Sequence, residues 1–106
     1  MSLSEFQYIF SLPADFEDYC WEEKGCFLNG ELECAGKSYL VNFYDPARLN
    51  QEIADALAHD GLFVEENLVV VERVTKQNLE TAVSNLVARS ELNNFTQKEQ
   101  NRESQT

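Results

Sequence analysis

The chain alternates between two hydrophobic periods. Residues 5 to 12 place Phe6, Tyr8, Phe10 and Leu12 on one side and Glu5, Gln7, Ile9 and Ser11 on the other, a period of two that predicts a strand. Pro13 ends it. Between Ala14 and Lys24, Phe16, Tyr19 and Cys20 fall at i, i+3 and i+4 ahead of Gly25, which predicts a short helix with acids at its start, where the helix dipole favours them. Alternation returns from Cys26 to Cys34, with Cys26, Leu28, Leu32 and Cys34 expected on one side. The Asn29-Gly30 pair is a hairpin signal in its own right. Ala35-Gly36, however, supplies a turn that pairs 26–34 with 37–44 over matched lengths, so one strand with a bulge at Gly30 is the expectation.

The sharpest junction is Tyr44-Asp45-Pro46. An Asp carboxylate can accept the free amide hydrogens of a first helical turn, and a proline at the first helical position has no amide hydrogen to lose. Leu49, Ile53, Ala56 and Leu57 then form one apolar stripe, and Gly61 marks the helix end near His59. Leu62-Phe63-Val64 reads as a loop or short extended piece, Glu65-Glu66-Asn67 as a turn, and Leu68 to Val74 as a strand. Three consecutive valines in that strand suggest burial on both faces and a central place in the sheet. Thr75 caps a second helix carrying Leu79, Ala82, Val83, Leu86 and Val87 at helical spacing.

These elements predict an α+β two-layer sandwich of about four mostly antiparallel strands with two main helices on one face, in the order strand, short helix, strand, strand, helix, strand, helix. A right-handed crossover would set the valine strand beside Tyr39–Tyr44. Residues 1–92 form the expected single domain. Residues 93–106 carry one apolar side chain, Phe95, too few to offset the entropy of ordering them, so a flexible polar tail is expected. No internal repeat is visible.

Charge narrows the partners. Nineteen acidic against eight basic residues give a formal net charge of −11, which repels nucleic-acid phosphates and anionic membrane surfaces and favours a basic protein partner. No apolar run approaches the roughly 20 residues of a membrane span. Three cysteines without a preceding leader, Cys20, Cys26 and Cys34, point to a reducing cytoplasm. Their gaps of five and seven residues match neither zinc knuckles nor redox pairs.

No catalytic, cofactor or metal signature emerges from the spacing. His59 is the sole histidine and has no nominated nucleophile, the paired carboxylates are too abundant to single out, and no glycine builds a phosphate loop. One cluster stands out: Phe16, Tyr19 and Trp21 interleave with Asp15, Glu17, Asp18, Glu22 and Glu23, a combination suited to gripping lysine or arginine by cation–π contact and ion pairing. Glu65 and Glu66 are a second acidic candidate. The competing structural account makes these rings the lid of the core and the acids its wet side. In class alone the chain resembles small acidic bacterial accessory proteins, including immunity proteins that neutralise toxins. The expectation is a non-catalytic interaction module, with a self-associating domain that hides an open sheet face or edge in a homodimer as the alternative, and a small-ligand binder or enzyme near His59 and Tyr44 behind it.

Overall fold

The computed structural model describes residues 7–98; the Glu5 and Phe6 positions of the predicted first strand and residues 99–106 of the predicted tail lie outside it. Four strands form one mixed sheet in the order β1 (Tyr8–Ser11), β2 (Cys26–Cys34), β3 (Lys37–Tyr44), β4 (Leu68–Val70). β1 to β2 and β2 to β3 are antiparallel, and β4 runs parallel to β3 after the helix α2 (Pro46–Asp60). A short helix α1 (Trp21–Lys24) precedes β2, and α3 (Lys76–Ala88) follows β4. The α+β class and the order of elements are those the sequence predicts.

The helix boundaries follow the local chemistry. Asp45 Oδ1 accepts from Arg48 N at 2.7 Å with Pro46 at the first helical position, and Gly61 closes α2 in the left-handed conformation. The Thr75 hydroxyl accepts from Asn78 N at the start of α3. The Ala35-Gly36 turn takes positive φ at both residues, the geometry that matches the twist of a tight hairpin.

The β2–β3 register shifts between Phe27 and Gly30, and this bulge corrects the predicted facing of β2. Phe27 opposes Phe43 and is buried, Leu28 is exposed, and Cys26 pairs with Tyr44 on the other face, whereas Leu32 and Cys34 keep the core side. A bulge breaks strict alternation, so two residues that share a parity in the sequence end on opposite faces. Gly30 has a packing reason to lack a side chain: a Cβ there would lie 3.2 Å from ring carbons of Phe10, Phe27 and Phe43.

The core lies between the Phe43 face of the sheet and α3. Leu32, Val41, Phe43, Val74, Leu79 and Val83 are its most completely buried side chains, with Val87 and Leu92 extending it. α2 contributes no buried residue. Its first turns accompany the opposite face, where Arg48 and Glu52 are electrostatic neighbours of Cys26 and Tyr44. Of the two long helices, α3 alone supplies fully buried side chains to the core.

The valine run is also placed differently. β4 is an edge strand of three residues, and its expected central position is corrected by the strand order. The apolarity of the run serves two environments. Val69 packs on the core, while Val71 and Val74 are buried after the strand has ended, where the chain passes over to α3. The polar segment after Leu92 stays on the fold as far as Lys98. A 3-10 turn at Glu91–Asn94 leads to Phe95, which packs against the core, and Lys98 N donates to Ser38 O at 2.6 Å.

Candidate functional site

The segment after Pro13 is organised by its aromatic residues. A 3-10 turn at Phe16–Asp18 is closed by Asp18 N donating to Asp15 O at 2.9 Å, and it turns Phe16 inward to 5% exposure. Phe16 meets Phe27 edge-on at 5.2 Å and stacks on Trp21 at 5.7 Å, while Trp21 meets Phe27 edge-on at 5.0 Å. Tyr19, expected to share the inner side with Phe16, instead stands out at 54% exposure with its ring 5.8 Å from Trp21. Cys20 is exposed as well. The predicted helix is split into a 3-10 turn and α1, so the i, i+3, i+4 relation does not carry across it.

Between this aromatic turn and the start of α3 lies an open cleft of about 300 Å³. Phe16, Glu17, Tyr19, Trp21, Glu22 and Glu23 line one wall, and Val74, Thr75 and Lys76 form the other. Six of the ten residues nominated from sequence thus meet at one place. Asp15 and Asp18 are exposed on the same turn without lining the cleft. Glu65 and Glu66 lie apart from it: the Tyr44 hydroxyl donates to the Glu65 carboxylate, 2.8 Å from each oxygen, and Glu66 O accepts from Asn42 Nδ2. The Val74–Lys76 wall has no local signature in the sequence, because only the path from β4 into α3 brings it to the aromatic turn.

Part of the negative charge is met from within. Arg73 Nε stands 3.9 Å from Glu22 Oε2, and Lys24 Nζ lies 5.5 Å from the centroid of the Trp21 indole. Both are contacts of the kind an incoming lysine or arginine makes, held here at an exposed surface where each contributes little. Trp21 is therefore both lid and wall. Among the described residues its Nε1 is buried without a hydrogen-bond partner. Tyr19 is the ring most open to a second molecule.

The other chemical candidates do not assemble. Cys20, Cys26 and Cys34 are free thiols in three settings, exposed, half-buried and buried. Among the described residues no three His, Cys, Asp or Glu side chains gather as a metal cage. His59 is exposed, with Nδ1 2.9 Å from the carbonyl oxygen of Asp55 on its own helix, while Tyr44 is engaged by Glu65. Among the described residues no helix is long and apolar enough to cross a membrane. No family model matches the sequence, and neither a curated protein nor a solved structure matches it.

Proposed function

We propose that this protein is a non-catalytic interaction module, of the inhibitor, immunity or adaptor type, that contacts a basic protein partner through the cleft between the aromatic turn and α3. The observation that carries this reading is the exposed Tyr19 ring set beside Glu17, Glu22 and Glu23 at the mouth of a cleft of about 300 Å³. An aromatic face and nearby carboxylates attract the same ligand groups, guanidinium and ammonium, and the surrounding charge of −11 steers such a partner toward the molecule. The partner's cation competes with Lys24 and Arg73 for the contacts they hold, an exchange between solvated ion pairs of similar energy.

Affinity capture from extract of the source organism at low and at high salt tests it. A basic protein retained only at low salt, and lost on Tyr19→Ala or on Glu22→Lys with Glu23→Lys, supports the reading. Retention indifferent to salt and to these changes removes its basis. A second reading, a self-associating structural domain of cytoplasmic setting, is favoured by β1: among the described residues this four-residue strand pairs with β2 on one side only and leaves an open sheet edge. Light scattering that finds a monomer at micromolar concentration disposes of it.

A further inference from the structure

The helix α2 is amphipathic, and its apolar stripe is only partly covered. Leu49, Ile53, Ala56 and Leu57 form its apolar stripe, but the first three are only half-buried and Leu57 is 53% exposed. The apolar surface continues past the helix end. Leu62 is 56% and Val64 77% exposed in the loop that follows, and Val70 is 49% exposed on β4. Tyr44 joins these pieces: it pairs with Val70 in the β3–β4 register, on the face away from the core, and its hydroxyl holds Glu65 of the loop. The loop and the outer face of β4 thus adjoin at Tyr44, and four of the eight large apolar side chains exposed among the described residues, Leu57, Leu62, Val64 and Val70, fall between 57 and 70. A cluster of this kind on a small monomer marks a contact surface more often than scattered single residues do.

The charge around it selects the occupant. Glu52, Asp55, Asp60, Glu65, Glu66 and Glu72 fall in the same stretch of chain as these side chains, and residues 50–72 contain no lysine or arginine. Arg48, one turn before, is already paired with Glu52 at 2.9 Å. A second copy would bring the same acids face to face, and an anionic lipid surface would be repelled. An apolar stripe with helical spacing is packed by another helix whose side chains fill its grooves. We propose that the face formed by α2, the 61–67 loop and β4 is a docking surface for a basic amphipathic helix of a partner protein, its apolar residues on Leu57, Leu62, Val64 and Val70 and its lysines or arginines on the acidic rim. This surface is separate from the Tyr19 cleft and does not depend on it.

The test is a titration of the full chain with a synthetic helical peptide of leucine and lysine at amphipathic spacing, followed by backbone amide resonances, with a leucine and glutamate peptide as control. The proposal expects perturbations at Ile53, Leu57, Leu62, Val64 and Val70, no binding of the glutamate peptide, and an affinity loss of about tenfold or more for Leu57→Ser with Val64→Ser at unchanged thermal unfolding. Both positions are exposed, so the fold does not rest on them. It is overturned by perturbations confined to Glu17–Lys24, by unchanged affinity of the double variant, or by a dimer in light scattering that the double variant converts to monomer, which would give the patch to a second copy.

Discussion

Asn67 and Thr96 hold one another through a reciprocal pair of hydrogen bonds: Asn67 Nδ2 donates to Thr96 O at 2.8 Å, and Thr96 N donates to Asn67 Oδ1 at 2.8 Å. The same Asn67 Nδ2 also donates to Leu40 O at 2.9 Å, and Asn67 O accepts from Asn42 N at 3.0 Å. The carboxamide stands in for a residue of a β-ladder along the β4 side of β3. On one side of it β4 runs parallel; on the other Gln97 bridges to Tyr39 in the antiparallel sense. Asn67 reaches this position with φ 53, a left-handed conformation that asparagine tolerates better than most residues. Asn67→Gly keeps that conformation and deletes the clasp; it is expected to lower stability by about 1–2 kcal/mol. Asn67→Ala is expected to cost about 1 kcal/mol more, because alanine resists the left-handed region. Chemical denaturation measures both, and amide exchange at Thr96 and Lys98 is expected to quicken; unchanged exchange would show that Phe95 alone retains the segment.

The two long helices are expected to respond differently to truncation. Val83 is fully buried against the sheet, so Val83→Ala removes two methyl groups from the core and should cost about 2–3 kcal/mol. Ile53 lies at an equivalent place in the sequence pattern of α2 but is only half-buried, and Ile53→Ala should cost less, about 1 kcal/mol. Equal losses in urea unfolding would mean that α2 is packed as tightly as α3.

Gly30→Ala tests the ring contact at the bulge. The added methyl would meet Phe10, Phe27 and Phe43 at 3.2 Å, and all three rings are held in the sheet packing, so a loss of about 1–3 kcal/mol is expected. Gly36→Ala, whose Cβ would meet nothing within 4 Å, separates backbone conformation from crowding, since its φ of 79 is strained for alanine without any clash.

Tyr44 gives the protein an alkaline sensitivity. Burial first, and then the hydrogen bond to Glu65, raise its phenol well above the usual value near 10. The folded state therefore holds the proton more firmly than the unfolded chain. That contribution is fully present below pH 10 and is lost as pH rises from there toward the folded-state value. Ultraviolet titration should show two tyrosines ionising late, Tyr39, raised by burial, and Tyr44, late or only on unfolding, and Tyr44→Phe should remove one of them and flatten the decline of stability above pH 10. A decline of the same steepness in the variant would assign it to other groups.

What the sequence reveals is governed by the range of the contacts involved. Asp45 with Pro46, Gly61, Thr75 and the Ala35-Gly36 turn act within five residues, and each does in the structure what its chemistry predicts. The facing of β2 is not legible ahead of Gly30, since one irregularity inverts the parity of Cys26 and Leu28 relative to Leu32 and Cys34. The apolar run at Val69–Val71 carries burial on its face but not the identity of the element that buries it, so an edge strand and a crossing loop resemble a central strand. Retention of residues 95–98 depends on Asn67, far away in the chain, and composition alone cannot register it. At the candidate site the aromatic and acidic residues are adjacent in sequence and were found; Val74, Thr75 and Lys76 are brought there by tertiary folding and were not.

The Tyr19 cleft is tested most directly by a titration of isotope-labelled protein with a short arginine-rich peptide, read from backbone amide resonances at low and at raised salt. The prediction is a salt-sensitive set of shifts concentrated on Glu17–Lys24 and Val74–Lys76, abolished by Tyr19→Ala together with Glu22→Lys. Shifts spread evenly over every acidic surface, or unchanged in that variant, would contradict it and reduce the cleft to a lid over the core.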